Sequence, residues 1–321
     1  MIPPALHTAI LRELEGVSIR GLRVAASGLT DSYRGAAPNG LAPLATDAAR
    51  LAYLVTRTPA TFAASRAALT ELRARCPGFD PHTLLDLGAG PGAGTFAAIE
   101  VFHSVDTVTL VERDPGLVAL GRRLLTELPV AVRWRTGDVR MIAPDTPTDL
   151  VVLSYIAGEL PHGQLGALVE TAWAATSGAL LVIEPGTPAG HARVLAARSH
   201  LVGAGARIVA PCPHQGPCPL GADDWCHFGV RLARTREHRM VKDAELAYED
   251  EKFSYLAATR GSGEPAPARI LRRPEHHKGH LRLSLCATGG LEQLTVRRSD
   301  REAYHAARRL SWGDAMSRRR S

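Results

Sequence analysis

The sequence predicts an α/β protein: a mainly parallel sheet with helices on both faces, preceded by a helical extension and followed by an antiparallel β extension. Three observations predict it. Short apolar segments alternate with helix-patterned ones from residue 82 to about 206. Spaced glycines follow the first apolar segment directly, where a strand must turn sharply into a helix. Acidic residues stand at the ends of the next two apolar segments. Alternation of this kind implies parallel strands joined by helical crossovers, with the ligand crevice at the carboxyl ends of the strands.

Taken in order, residues 1–80 read as a helical extension. Leu6, Ile10, Leu11 and Leu14 fall on one helical face, and Phe62, Leu69, Leu72 and Cys76 on another. The core, 81–206, opens with "HTLLDLGAGPGAGTFAAIEVF": strand, glycine turn, helix. The strands "TVTLVERDP", "AVRWRTGDV", "TDLVVLSYIAGEL" and "GALLVIEPG" follow. The helices "GLVALGRRLLTEL", "HGQLGALVETAWAAT" and "AGHARVLAARSHLVG" lie between or after them. After 206 the alternation stops. Residues 207–321 hold a Pro/Gly-rich cysteine loop, a polar segment ending in "YEDEKFSYLAATR", and two antiparallel strands, "HLRLSLCATGG" and "EQLTVRRSD". The helix "REAYHAARRL" and a basic tail close the chain.

At roughly 150 residues per domain, 321 residues suggest two domains or one enlarged one. The net charge of +6 is unevenly placed. From Arg269 to Ser321 there are 13 Lys and Arg against 5 Asp and Glu, a net of +8, so the rest of the chain carries −2. A local basic surface suits a polyanion such as RNA. The N-terminus "MIPPALHTAILRELEG" lacks the basic start of a signal peptide, and the longest apolar runs are too short to span a bilayer. The expectation is a cytoplasmic protein with no membrane contact.

The glycine turn is Asp86-Leu-Gly88-Ala-Gly90-Pro-Gly92. Glycines let the backbone approach a ligand closely, and the following helix offers its N-terminal amides. Gly88, Gly90 and Ala93 also satisfy the dinucleotide fingerprint, so a nicotinamide-binding domain competes. The acid two positions before the first glycine resembles the first motif of class I S-adenosylmethionine-dependent methyltransferases. Glu112, ending the second strand, stands where an acid holds the ribose hydroxyls. Asp138, in Gly137-Asp138 after the third strand, stands where such enzymes meet adenine, although it also suits a helix N-cap. Asp149 opens the fourth strand. Beyond that strand, "SYIAGEL" offers Ser154 to the cofactor and Tyr155 and Glu159 as candidate catalytic groups. It carries neither the Asn/Asp-Pro-Pro-aromatic signature of amine methylation nor a nucleophilic cysteine. Tyr155 suits stacking on a base and a core position equally.

Three of five cysteines, Cys212, Cys218 and Cys226, share one loop, and Cys286 follows much later. Disulfides are rare in the cytoplasm, so a metal site is the natural reading. The close Cys pairs of structural zinc are missing. Cys-Pro junctions suit an iron–sulfur cluster, while His214 or His227 would complete a mixed zinc site. Cys76 reads as core.

Together these motifs resemble the mitochondrial small-ribosomal-subunit methyltransferase-like family, in a bacterial-type form. The likeness runs over roughly residues 30–313 and rests on "LLDLGAGPG", "SYIAGEL", "LVIEPGTPAG", "PCPHQGPCPL", "DWCHF", "YEDEKFSYL", "LCATGG" and "WGD". The resemblance implies a class I methyltransferase core, a [4Fe–4S] cluster on Cys212, Cys218, Cys226 and Cys286, and a role in assembling the small ribosomal subunit in contact with its RNA. Off the ribosome a monomer is expected. Two other readings compete: an active methyltransferase on a small molecule or protein with a purely structural metal site, and a binding module with a vestigial pocket.

Overall fold

The computed structural model describes residues 2–34, 44–141, 147–161 and 163–316. The basic tail with Arg318, Arg319 and Arg320 lies outside them. The N-terminal extension consists of α1 (Pro4–Glu13), α2 (Ile19–Arg34), α3 (Asp47–Thr56) and α4 (Thr58–Arg75). Phe62, Leu69 and Leu72 on α4 are fully buried, and so are Leu6 and Ile10 on α1. Leu11 departs from the expected face and is exposed, because it sits well around the helix from the stripe that Leu6 and Ile10 share.

The main sheet begins with β1 (Thr83–Leu87), α5 (Ala93–Val101), β2 (Thr107–Glu112), α6 (Pro115–Leu125), β3 (Ala131–Thr136) and β4 (Thr148–Ser154). It continues through α7 (Leu165–Ala174), β5 (Thr176–Pro185) and α8 (Pro188–Gly203). Leu84, Leu110, Val151 and Leu181 are buried on strands covered on both faces, which is why these strands read as apolar runs rather than alternating ones. Asp149 works at the far end of the sheet from the glycine turn. It accepts bonds from the backbone N–H groups of His82 and Thr83 at 3.0 and 2.9 Å and from the Thr83 hydroxyl at 2.8 Å, tying β4 to the start of β1.

The sheet does not end at 206. It takes in β6 (Arg207–Ala210), β7 (Phe228–Ala233) and β8 (Tyr248–Thr259), with α9 (Arg236–Lys242) between the last two. The strand order is β3-β2-β1-β4-β5-β8-β6, with β7 paired to β8. β1 to β5 run parallel and β8 runs antiparallel to its neighbours. The polar half of β8, "YEDEK", forms a hairpin with β7, and only its apolar half, "FSYLAAT", enters between β5 and β6. That split hides the strand in the sequence and makes residues 207–259 part of the main sheet as well as of the cysteine-bearing segment.

A second sheet follows, built from β9 (Ala268–Ile270), β10 (Glu275–His277), β11 (His280–Ala287), β12 (Gly290–Arg297) and β13 (Ala315–Met316), with α10 (Arg301–Ala307) packed on it. Its core is Ile270, Leu281, Leu283, Leu285 and Val296. The expected antiparallel pair is β11 and β12. Among the described residues no helix is long and apolar enough to cross a membrane.

Candidate functional site

The strand order reverses between β1 and β4, and the crevice of a doubly wound sheet opens there. The turn after β1 fills it. Gly88 adopts φ +74, and a Cβ added to it would stand 2.7 Å from the side chain of Ile156. Gly88 and Gly90 line the pocket. Gly92, at φ +99, does not; it N-caps α5, where a Cβ would meet Leu125 at 2.8 Å. Gly94 was not anticipated. A Cβ there would come within 3.0 Å of Asp86 Oδ2 and 3.3 Å of Ser154 Oγ, so this glycine lets α5 close over both side chains.

Asp86 lies beneath the turn, fully buried. The Thr95 hydroxyl donates to its Oδ2 at 2.8 Å, while Oδ1 has no partner. Burial pushes this carboxyl up to about 6; the bonds from Thr95 oppose that and the charge of Glu112 adds to it. Glu112 pairs with neither neighbouring arginine. Its Oε2 accepts from Gly90 N at 2.9 Å and its Oε1 from Asp114 N at 2.9 Å. Each oxygen keeps lone-pair capacity for a diol. Asp138 caps no helix. It accepts from the Arg140 backbone N–H at 2.9 Å and pairs with its guanidinium, which holds the carboxyl down to about 2.

Ser154 ends β4 and lines the pocket with Tyr53, Arg113 and Tyr155. Tyr155 adopts φ +59, a left-handed conformation that a bulky side chain rarely occupies. Its hydroxyl donates to Glu251 Oε1 at 2.9 Å, joining "SYIAGEL" to "YEDEKFSYL". Burial first, and then the charge of Glu251, raise the tyrosine well above its ordinary value. Glu159 faces the pocket and pairs with Arg113 at 3.2 Å. Burial pushes it up to about 7 against the pull of Arg113, although about a third of its side chain stays exposed (34%), so water tempers the shift. Behind it, Glu184 accepts from Ala157 N at 3.0 Å and pairs with Arg193 of α8 at 2.6 Å.

The second site is the cavity lined by Cys212, Cys218, Cys226 and Cys286. The first three come from the loop between β6 and β7, and the fourth from β11, one strand of the second sheet. Ser254 of β8 fixes the loop by donating to Cys226 O at 2.7 Å, and Trp225 Nε1 does so by donating to Gly186 O at 3.0 Å. Burial raises the Cys212 and Cys226 thiols. It raises Cys286 too, with Cys212 and Cys218 adding to the shift, to about 12. Buried thiols such as Cys212, Cys226 and Cys286 resist ionising unless a cation joins them. His214 Nε2 lies 3.6 Å from Cys286 Sγ. His227 instead lies between Trp225 and Trp312. Arg198 and Arg269, neither of them marked by the sequence, complete the wall.

The pocket residues suit the adenosyl cofactor that the resemblance implies. A cradle that a Cβ would fill, a buried Asp86 oxygen without a partner and two held Glu112 oxygens suit an adenosyl cofactor. Among the described residues no group of three or more His, Cys, Asp or Glu is gathered tightly enough for a single metal ion. A four-iron cluster binds its four thiolates on four different irons, so its ligands stand further apart than those of one zinc.

The strand order, with an antiparallel strand inserted beside β5 and a glycine turn at the switch point, defines a class I methyltransferase-type α/β core. The chain belongs to the family described as Mitochondrial small ribosomal subunit Rsm22, whose model matches residues 47–317. It is 31% identical over 295 residues to the human (Homo sapiens) "Ribosome assembly protein METTL17, mitochondrial", a match covering 84% of this chain and 63% of that protein, so it spans less than two thirds of that relative's length. It is 32% identical over 223 residues to the trans-aconitate 2-methyltransferase of Azoarcus sp. (strain BH72), covering 65% and 79%. The magnesium protoporphyrin IX methyltransferase of Synechocystis PCC 6803, solved with bound SAM, superposes with a TM-score of 0.41 at 13% identity, over 63% of this chain and 80% of that one.

Proposed function

We propose that this protein is an assembly factor of the small ribosomal subunit that binds S-adenosylmethionine at the glycine turn and contacts ribosomal RNA through its basic C-terminal part. The observation that carries the reading is family membership across residues 47–317. The pocket supports it in a specific way. Both candidate catalytic groups are already engaged, Tyr155 by Glu251 and Glu159 by Arg113. S-adenosylmethionine supplies an activated methyl group when bound, and the residues here are arranged to hold it: Glu112 for the ribose, Asp138 beside the base, and Gly88, Gly90 and Ser154 around the turn, with Asp86 buried beneath it. Gly92 supports the turn from behind.

In this reading Cys212, Cys218, Cys226 and Cys286 hold a [4Fe–4S] cluster that pins the loop to the second sheet. The exposed Lys278, Arg297, Arg298, Arg308 and Arg309 lie on that sheet and on α10 and its C-terminal turn, and the cluster fixes their placement relative to the pocket. The protein works as a cytoplasmic monomer off the ribosome. The likeness to a trans-aconitate 2-methyltransferase favours a second reading, a methyltransferase acting on a small molecule with the metal site purely structural.

RNA binding at increasing salt separates the two. Phosphate contacts weaken steeply with salt, and the Arg297→Gln/Arg298→Gln variant is expected to reduce the salt slope by about 1 for each charge removed. Binding to small-subunit RNA with no salt dependence and no response to these changes would move the second reading to first place.

A further inference from the structure

Two arginines line the cysteine cavity, and only one has a counter-ion. Arg269 is almost wholly buried, pairs with Glu71 of α4 at 2.7 Å and donates to Gly313 O at 2.8 Å. Arg198 of α8 is 5% exposed. Its Nη2 donates to two loop carbonyls, His214 O at 2.9 Å and Gly216 O at 2.7 Å. Both acceptors are neutral. Its Nε has no hydrogen-bond partner, and among the described residues no carboxylate lies within 4.0 Å of its guanidinium.

A guanidinium does not shed its proton in a protein. A charge buried without a counter-charge is costly even when carbonyls accept its hydrogen bonds. The cavity beside it holds four sulfurs, and as neutral thiols they compensate nothing. Four thiolates on a four-iron core in its ordinary oxidised form carry a net charge of two minus. A zinc ion on two thiolates and two imidazoles is neutral and would leave the arginine uncompensated. We infer that Arg198 is the counter-ion of the net anionic metal–thiolate group that the cavity takes in the reading above.

This rests on the cluster reading above and adds a role for Arg198, which touches no substrate and positions the loop through its carbonyls. It also sets a direction. One electron from an added reductant makes the cluster more anionic without moving a proton, so a neighbouring cation favours the reduced form. Net charge and hydrogen bonds near the sulfurs set such potentials.

The test uses the full chain reconstituted without oxygen, assayed for iron and acid-labile sulfide, and then titrated with dithionite under mediators and followed by absorbance and electron paramagnetic resonance. Arg198→Gln keeps a donor for the loop carbonyls and loses the charge; Arg198→Lys keeps the charge. The expected result is wild-type behaviour in the lysine variant. The glutamine variant is expected either to take up no cluster or to show a reduction equilibrium about tenfold less favourable, about 59 mV more negative for one electron. A glutamine variant with full iron and an unchanged potential overturns the inference. Equal failure of both variants to load does the same, because shape rather than charge would then be the requirement. Zinc without sulfide in the wild type would instead overturn the cluster reading alone. The charge requirement would then be decided by zinc retention, upheld if Arg198→Gln loses zinc at least tenfold more readily than Arg198→Lys and overturned if the two match.

Discussion

The glycine-turn pocket and the cysteine cavity differ in how finished they are. In the pocket nearly every polar group is already placed by the chain itself: Glu112 by two backbone N–H groups, Asp138 by Arg140, Glu159 by Arg113, Tyr155 by Glu251. The cavity holds raised thiols and a buried arginine without an acid. One site is preorganised by the fold. The other, in the proposed reading, is completed by what binds. Losing the ligand is therefore expected to cost the pocket its occupancy and the cavity its structure.

The largest effect that would break this contrast is at Cys286. Cys286→Ser is expected to abolish iron and sulfide uptake and to lower the melting temperature, at roughly 2–4 °C per kcal/mol lost, because the proposed cluster would couple metal binding to folding. Calorimetry of this variant and of Cys218→Ser, with RNA binding measured in parallel, checks it. Unchanged melting and iron content would make the cavity as self-sufficient as the pocket.

Next in size is Gly88→Val. The left-handed backbone and the 2.7 Å approach to Ile156 leave no room for a side chain. The substitution is expected to cost roughly 1–3 kcal/mol and to remove S-adenosylmethionine binding by calorimetric titration, while iron content stays at the wild-type level. Loss of iron in this variant would mean the two sites are not separable.

Asp86 gives a pH signature of similar size. Its folded pKa is raised from 3.8 to about 6. It therefore favours the folded state fully below its unfolded value, and that contribution is lost as pH rises through about 6. Over two units this is at most about 3 kcal/mol. Asp86→Asn keeps an acceptor for Thr95 and should flatten the fall in denaturant-measured stability between about pH 4 and 6. Parallel wild-type and variant curves would place the carboxyl in a wetter setting than the fold provides.

The smallest effect is at Tyr155→Phe. It removes the hydroxyl's bond to Glu251 and should cost about 1 kcal/mol with cofactor affinity nearly unchanged. A large drop in methyl transfer with stability intact would make the tyrosine a catalytic residue.

What the sequence revealed follows the same division. The pocket is built from residues at successive strand ends, so the places of Asp86, Gly88, Gly90, Glu112, Asp138 and Ser154 at those ends could be read from the strand pattern and the methyltransferase resemblance. Gly94 escaped because its role lies in what approaches it, Asp86 and Ser154 from other strands. Of the cavity, the four cysteines were legible, and the rest of its wall was not. Arg198 and Arg269 carry no local signal, since one sits mid-helix and the other is the middle residue of a three-residue strand. β8 escaped for another reason. Its first half, "YEDEK", is a polar hairpin arm, and a strand that is half surface and half core shows no single period.

The place of β8 has a consequence for when, rather than where, the molecule forms. β6 precedes β8 along the chain but lies beyond it in the sheet. Until Tyr248–Thr259 inserts, the edge of β5 has no partner and β6 has no neighbour to pair with. Three cysteines sit on the chain between these two strands, and the fourth comes later still. The cavity thus depends on a long-range closure of the slow kind. A chain interrupted before Tyr248 would present the open edge of β5, and one interrupted before Cys286 would hold three of the thiols without the fourth.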